Sequence, residues 1–347
     1  MSAPACAGLD PARLGVWLAD HVEGFRSPFG IRQFPGGQSN PTYLIESGSA
    51  RYVLRRKPGG KLLPSAHAVE REYRIIAALA GSGVPVARAR ALCEDSSVIG
   101  TPFYVMDYVE GRTFWDDALP EVRACDRRAI YDELNRVLAT LHAVDFKALG
   151  LEDYGKSGEY IERQVARWTK QYRASATEPI DAMDRLIDWL PQHVPPAEAP
   201  AIVHGDYRLD NVIFHPREAR ILAVIDWELS TLGAPLADLA YLCMRWHMPA
   251  QEYRALGGLD LQALEIPTES EFVAAYCRRR GREPLTPQTW AYYLAFNMFR
   301  LAAILQGVLA RGLQGNASSA TAVEMGRRAR PLAALAWQIV CREFDAK

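Results

Sequence analysis

The sequence lacks paired cysteines and a strong net charge, and each absence excludes a class of protein. Its six cysteines are scattered, with no CxxC pair and no His–Cys spacing typical of a zinc site. Lys and Arg number 40 against 41 Asp and Glu, which leaves a formal net charge of −1. No bulk field therefore draws the chain to nucleic acid or to an anionic membrane. We expect neither of these as a partner.

The sequence also has no segment with the features of a signal peptide or a membrane span. Met1–Leu9 lacks a basic region and a long apolar core. The most apolar later stretch, Ala291–Ala310, is interrupted by Asn297, Arg300 and Gln306, which favours a core helix. Together with the unpaired cysteines, this predicts a cytoplasmic protein. The oligomeric state stays open.

What is present is the composition of a globular protein. The 347 residues are 49% hydrophobic and 23% charged, which is enough apolar material for a sizeable core. The length favours about two domains.

The most informative stretch is residues 204–228. Asp206 and Asn211 are five positions apart in a loop, and Asp226 follows an apolar β-run. This is the spacing of the kinase catalytic loop H-R-D-x-x-x-x-N, with glycine in place of the arginine. Each half of the pattern alone is common in turns, but the two halves in order predict a phosphoryl-transfer site.

Each residue type in this stretch has a chemical reason to be there. A carboxylate such as Asp206 can orient an attacking hydroxyl and take its proton. The oxygens of Asn211 and Asp226 are ligands that Mg²⁺ prefers. Arg208 can offset charge on the transferring group. Because Asp206 already fills the role of proton acceptor, His204 is expected to pack beneath the loop and to form hydrogen bonds with its backbone.

These motifs resemble the aminoglycoside phosphotransferase family, the small-molecule branch of the kinase-like fold. The resemblance rests on His204-Gly205-Asp206 with Asn211, on Ile225-Asp226-Trp227-Glu228, and on Asp238-Leu239-Ala240. The amino-acid sequences of residues 36–43 and 208–211 are most similar to those of the phosphotransferase domain found fused to, or encoded with, acyl-CoA dehydrogenases. The match runs from about residue 30 to at least 245.

The resemblance and the order of elements predict a bilobal, kinase-like α+β fold. Residues 1–109, with a helix over about 10–24, would form a nucleotide-binding lobe with an antiparallel sheet and one further helix. Residues 110–347 would form a mainly helical lobe with the catalytic loop and the acceptor pocket. Asp238, in the first turn of an apolar helix, is expected to accept hydrogen bonds from the catalytic-loop backbone.

Two further segments are candidates for nucleotide contacts. Residues 35–40 form a glycine-bearing hairpin tip, neither G-x-G-x-x-G nor a Walker A loop, whose backbone could cover phosphates. Ser39 is its best side-chain candidate. The apolar run Phe103–Val109 fits an interdomain strand whose backbone at Tyr108 and Val109 could bond adenine. It fits an edge strand without a ligand equally well.

The kinase lysine that grips the phosphates aligns with Arg55. Strand alternation puts Arg55 and Lys57 on one face, so either cation could hold phosphate, or both could be solvated strand-end charges. Glu70 and Glu72 are the candidates to pair with that cation. Glu72 is favoured because, in the family, the glutamate stands just before an apolar pair.

The function implied is Mg²⁺-dependent transfer of phosphate from ATP or GTP to the hydroxyl of a small molecule. Residues 251–347 carry twelve Lys and Arg against nine Asp and Glu. This balance leans toward an anionic acceptor such as a hydroxyacyl-CoA-type metabolite, although a solvated arginine face explains it equally well. The alternatives are an aminoglycoside antibiotic phosphotransferase and a nucleotide-binding module without transferase activity. A protein kinase is disfavoured, because no activation segment separates Asp226 from Asp238.

Overall fold

The computed structural model describes residues 9–34, 40–58, 68–156, 158–315 and 321–344. Contacts divide the chain into two compact units, Met1–Arg112 with Asn211–Leu229, and Thr113–Asp210 with Ser230–Lys347. The boundary predicted at residues 109/110 stays a prediction. By its contacts, the segment Asn211–Leu229 groups with the first unit.

The chain begins with a helix, continues with most of the strands of the first unit, and ends with a run of helices after β9. The strands are β1 (Phe29–Gln33), β2 (Thr42–Ser47), β3 (Ala50–Arg56), β4 (Ala89–Cys93), β5 (Phe103–Asp107), β6 (Ala201–Val203), β7 (Val212–Phe214), β8 (Ile221–Val224) and β9 (Thr231–Gly233). The helices are α1 (Pro11–His21), α2 (Val69–Leu79), α3 (Ser96–Ile99), α4 (Ala124–Ala143), α5 (Tyr160–Ser175), α6 (Asp181–Trp189), α7 (Pro235–Cys243), α8 (Ala250–Tyr253), α9 (Glu269–Arg280), α10 (Pro287–Leu313), α11 (Ala322–Gly326) and α12 (Ala329–Phe344).

The first unit is built on an antiparallel sheet of order β1-β2-β3-β5-β4. Alternate residues of β3 face opposite sides. Tyr52 and Leu54 lie in a buried cluster that also contains Leu14 and Leu18 of α1. Arg55, one position further, faces the other side of the sheet. The sheet therefore carries α1 on one face and leaves Arg55 on the other.

Helix α2 explains what Arg55 meets. Its buried positions are Val69, Glu72, Ile75, Ile76 and Leu79, which is the spacing of one helix face. A single carboxylate thus lies within an apolar stripe. Because a buried charge needs a partner, Glu72 marks this face for an ion pair.

The β7–β8 hairpin belongs to the same unit through backbone contacts. The N–H of Arg112 donates to the carbonyl of Phe214 at 2.8 Å, and the reverse bond has the same length. A Cβ atom at Gly111 would lie 2.2 Å from the Phe214 oxygen. Glycine at 111 therefore permits the close approach of the two segments.

The second unit is mainly helical and centres on α10, which packs against α5, α7, α11 and α12. Among the described residues, α10 is the one helix long and apolar enough to cross a membrane by length and composition. However, 78% of its most apolar window is buried within the protein. It thus fits the predicted core helix.

Strands β6 and β9 pair antiparallel, with Ala201 opposite Gly233. β6 leads directly into His204, and β9 leads into α7, whose first turn contains Asp238. This pairing brings the catalytic loop and Asp238 to the same end of a short ladder.

Candidate active site

In the first unit, the site begins at Asp226, two residues beyond β8. Its φ angle is +66°, a left-handed conformation that residues other than glycine seldom adopt and that clusters at functional sites. Its Oδ1 accepts a hydrogen bond of 2.6 Å from Nη2 of Arg55. The Asp226 side chain stays 33% exposed, so it can still meet a ligand.

Arg55 contacts three carboxylates. Its Nε lies 3.1 Å from Oε2 of Glu72, and its Nη2 lies 3.5 Å from Oε2 of Glu228, in addition to the Asp226 contact. Burial lowers the pKa of Arg55, but the charges of Glu72, Tyr104 and Asp226 outweigh it and raise the pKa. Arg55 is therefore always charged.

Glu72 is held by neutral donors as well. Nδ2 of Asn40 donates to Oε1 at 2.6 Å, and the hydroxyl of Tyr104 donates to Oε2 at 3.1 Å. Burial raises the pKa of Glu72 to about 7, Arg55 opposes the shift, and the neighbouring Asp226 adds to it.

The second strand-end cation has a partner of its own. Nζ of Lys57 lies 2.9 Å from Oε2 of Glu70. The two cations and two glutamates left open by the sequence thus form two pairs, Arg55 with Glu72 and Lys57 with Glu70. In these contacts, Arg55 is the cation that touches Asp226.

Asn211 and Asp226 lie at adjoining ends of β7 and β8. The N–H of Ile225 donates to the carbonyl of Asn211 at 2.9 Å, and Asn211 is 7% exposed. In the described ranges, no group of three or more His, Cys, Asp and Glu side chains could hold a metal ion. An amide oxygen and a carboxylate do suit Mg²⁺, which takes few protein ligands and completes its shell with water and phosphate.

In the second unit, Asp238 holds the catalytic loop as predicted. The N–H groups of His204 and Gly205 donate to its two carboxylate oxygens at 2.6 and 2.8 Å. Nε2 of His142 lies 3.3 Å from Oδ2. Burial raises the pKa of Asp238, but the bonds from His142 and His204 outweigh it, so the pKa is lowered.

His204 has the structural position expected of it. It is fully buried, and its Nδ1 accepts from the N–H of Asp206 at 3.2 Å. Gly205 has φ +83°, a conformation that suits glycine. Glycine, which replaces the arginine of the kinase pattern at position 205, is therefore the residue that this turn conformation favours.

Asp206 and Arg208 are adjacent in the second unit. Nε of Arg208 lies 3.4 Å from Oδ1 of Asp206, and Nη2 lies 3.0 Å from Oδ2 of Asp210. Burial lowers the pKa of Arg208, but the effects of Asp206, Tyr241 and Asp210 outweigh burial, so the pKa is raised. The hydroxyl of Tyr241 also hydrogen-bonds Asp206.

Sequence reasoning missed Arg300 and Tyr241 as residues around this loop. Nη2 of Arg300, on α10, donates to the carbonyl of Gly205 at 2.7 Å. The two residues are separated by 95 positions, so no local pattern connects them. The available signal was an arginine inside an otherwise apolar helix.

The predicted nucleotide contacts are only partly described. Ser39 lies outside the described residues, as do the other residues from 35 to 39. The N–H of Tyr108 already donates to the carbonyl of Arg51 at 3.1 Å. An adenine contact at Tyr108 would therefore have to use its carbonyl, and the roles of Tyr108 and Val109 stay predictions.

Comparison with known proteins agrees with this chemistry. A family model of the phosphotransferase enzyme family matches residues 30–293. The chain is 51% identical over 328 residues to mouse acyl-CoA dehydrogenase family member 10, covering 94% of this chain and 30% of that protein. The chain spans less than half the length of the curated relatives it matches.

Solved structures show the same relationship. A protein from Ralstonia eutropha, described provisionally as an aminoglycoside phosphotransferase, is 52% identical with a TM-score of 0.87, over 96% of this chain and 98% of that one. Choline kinase from Cryptosporidium parvum has a TM-score of 0.69 at 11% identity, over 96% and 97% of the two chains. An aminoglycoside phosphotransferase bound to AMP-PNP and hygromycin B has a TM-score of 0.61 at 17% identity, over 94% and 98%. The last two share the fold alone. The chain belongs to the phosphotransferase enzyme family and has its kinase-like α+β fold.

Proposed function

We propose that the protein transfers the γ-phosphate of ATP, with Mg²⁺, to a hydroxyl group of a small molecule. One observation carries this proposal: Arg55 contacts three carboxylates, and two of them, Asp226 and Glu228, lie on the segment that follows Asn211. The Asp226 side chain is still 33% exposed, so its carboxylate can take part in holding a cation beside the phosphates. The fold of a relative that holds AMP-PNP supports ATP over GTP.

In this proposal the first unit binds the nucleotide phosphates. Arg55 is the phosphate-holding cation, because it contacts Asp226 whereas Lys57 is paired with Glu70. Asn211 and Asp226 hold the metal. Bound there, Mg²⁺ would neutralise charge on the phosphate oxygens. Tyr108 and Val109 would face adenine through backbone groups, and Ser39 stays a candidate phosphate contact.

The second unit supplies the base. The acceptor hydroxyl attacks the γ-phosphorus, a new P–O bond forms, and the bond to the bridging oxygen breaks, so that ADP leaves. The proton of the hydroxyl passes to the Asp206 carboxylate. Arg208, held between Asp206 and Asp210, can turn toward the transferring group and offset its charge.

For the acceptor we propose a hydroxyl on an acyl chain carried as a coenzyme A thioester. The support is the identity to acyl-CoA dehydrogenase family members. The arginine-rich region supports it less than the sequence suggested. Arg279 bonds Asp132, Arg328 lies near Glu324, and Arg330 lies near Glu178, so these arginines have carboxylate partners.

An aminoglycoside acceptor is the second candidate. The observation in its favour is the 52% identity to the Ralstonia protein. The two candidates differ in charge, since aminoglycosides are polycations and coenzyme A thioesters are polyanions.

We place the enzyme in the cytoplasm, because the five described cysteines are free, as is usual in a reducing compartment.

The test is turnover. Purified protein with Mg-ATP is offered a panel of hydroxyacyl-CoA thioesters and, separately, kanamycin, and products are identified by mass spectrometry. We expect an acyl-CoA product heavier by one phosphate group, and no phosphorylated kanamycin. ATP binding without turnover of either class would leave only a nucleotide-binding module.

Asp206→Ala is the matched variant in that assay. Loss of a general base lowers kcat by about 10²- to 10⁴-fold, whereas ATP affinity should hold because Asp206 is not among the proposed nucleotide ligands. If Asp206→Ala turned over the acceptor as fast as the parent protein, Asp206 would not be the base.

A further inference from the structure

Arg300 stands out among the buried charges of the second unit. It is 7% exposed and lies on α10, whose neighbouring residues are largely apolar. Among the described residues it makes no ion pair with a carboxylate, and its Nε has no hydrogen-bond partner. Burying an unpaired charge is unfavourable. The contacts that Arg300 does make must therefore offset that burial.

Those contacts converge on the catalytic loop. The guanidinium donates to the Gly205 carbonyl at 2.7 Å and lies 5.1 Å from the ring centroid of Tyr241 and 5.7 Å from that of Trp168. A charge-assisted hydrogen bond and two cation–π contacts each stabilise a buried arginine. The planar guanidinium suits this set of partners better than an ammonium would.

Two of these partners connect directly to Asp206. Gly205 precedes it in the chain, and the N–H of Gly205 is already held by Asp238, so both sides of that residue are fixed. The hydroxyl of Tyr241 hydrogen-bonds the Asp206 carboxylate. Arg300 thus acts on Asp206 both through the backbone and through the Tyr241 ring.

We infer that Arg300 and Tyr241 form one positioning unit that sets the direction of the Asp206 carboxylate. This inference rests on the proposed role of Asp206 as the base. Neither side chain needs to touch the nucleotide. Both would therefore govern kcat rather than the binding of ATP.

If Arg300 had only a structural role, Arg300→Met would lower the unfolding temperature and leave kcat unchanged, whereas a positioning role predicts the opposite. Replacing a buried charge by an apolar side chain of similar volume is often neutral or stabilising. Arg300→Met should therefore keep the unfolding temperature within roughly 4 °C of the parent protein. In the same variant kcat should fall roughly 10- to 100-fold, as expected for a base displaced by about 1 Å, with KM for ATP changed less than about twofold.

Arg300→Lys and Tyr241→Phe refine the test. An ammonium can still donate to the Gly205 carbonyl, so the lysine variant should recover part of kcat. Removing the Tyr241 hydroxyl should lower kcat by roughly fivefold. If the two residues act as a unit, the double variant loses less than the product of the single losses. Independent, multiplicative losses would overturn the unit.

Arg282→Met is the matched control, because Arg282 is a half-buried arginine that binds Glu198 instead of the loop. We expect it to leave kcat unchanged. A parent enzyme that depends on Asp206, together with an Arg300→Met variant of parent kcat, would overturn the inference and leave the proposed function standing.

Amide hydrogen exchange tests the inference without activity. In Arg300→Met, amides of residues 203–207 should exchange faster than in the parent protein, while those of α4 keep their rates and Arg282→Met changes neither. Unchanged exchange at 203–207 would overturn the inference even if the parent protein transferred no phosphate. Faster exchange there, with no transferase activity, would support the contact and reject the proposed function.

Discussion

Two carboxylates of this protein are almost equally buried, yet their pKa values move in opposite directions. Glu72 in the first unit is 1% exposed and Asp238 in the second is 2% exposed. Burial raises the pKa of Glu72 to about 7, with Asp226 adding to the shift and Arg55 opposing it. The pKa of Asp238 is lowered, because bonds from His142 and His204 outweigh burial. Burial alone does not decide the charge state.

The difference lies in the partners. Asp238 receives two backbone N–H groups and a histidine, and it supports the loop without needing a ligand. Glu72 shares one arginine with Asp226 and Glu228. Asp238 is therefore held by hydrogen-bond donors of its own, whereas Glu72 shares its cation with two other carboxylates, one of which is a proposed metal ligand. Changing Asp238 should therefore mainly lower the stability of the fold, whereas changing the cluster around Glu72 should mainly affect ligand binding.

Asp238→Asn should give the largest loss of stability. The amide offers a donor group where the structure presents N–H donors, so at least one buried donor loses its partner. We expect roughly 2–4 kcal/mol less unfolding free energy in denaturant titrations. Glu72→Gln, measured beside it at pH 7, should change the unfolding free energy by less than about 1 kcal/mol. Equal losses would erase the contrast between the two carboxylates.

Arg55→Met and Lys57→Met separate the two cations of the first unit. A charged hydrogen bond contributes about 1.5–3 kcal/mol, so loss of Arg55 should raise KM for ATP roughly 10- to 100-fold. Lys57→Met should raise it less than about threefold, because Lys57 is paired with Glu70. Steady-state kinetics at saturating acceptor measures both. A larger effect at Lys57 would move the phosphate contact to that residue.

The smallest effect concerns pH. Glu72 binds its proton more tightly in the folded than in the unfolded protein, since its pKa rises from 4.5 to about 7. Its contribution to stability is therefore full below about pH 4.5 and is lost as pH rises toward 7. Between those limits, unfolding free energy should fall more steeply in the parent protein than in Glu72→Gln, by roughly 1–3 kcal/mol in total. Parallel curves would show that Glu72 titrates normally.

Asp238 predicts the reverse dependence outside that window. Its pKa lies below 3.8, so its contribution is present above that value and is lost as pH falls through the folded pKa. The two titrations can therefore be told apart in one pH series.

Local patterns in the sequence pointed to the residues whose proposed roles follow from spacing. Asp206, Asn211 and Asp226 stand out because the loop chemistry fixes their separation, and Asp238 because a carboxylate in the first turn of a helix seeks N–H donors. The catalytic loop contacts of Asp238 are confirmed. The α+β fold also followed from the change of periodicity after about residue 110.

Residues that act across long separations stayed hidden. Arg300 contacts Gly205 across a separation of 95 positions. The Tyr241 hydroxyl, on α7, hydrogen-bonds Asp206 in the loop. Glu228 was visible as part of a motif, but its place beside Arg55 depends on how the β7–β8 hairpin joins the sheet unit. The sequence favoured Glu72 as the partner of the phosphate-binding cation, but it did not decide between Arg55 and Lys57. The position of α2 in the structure is what pairs Arg55 with Glu72 and Lys57 with Glu70.

The most direct test of the proposed metal–nucleotide site is calorimetric binding of ATP with and without Mg²⁺ to the parent protein and to Asp226→Asn. We predict that Mg²⁺ strengthens ATP binding to the parent protein, and that the variant loses about 10- to 100-fold of that affinity while its unfolding curve stays close to the parent. Equal Mg-ATP affinity in the two proteins would contradict a metal–nucleotide site at Asp226.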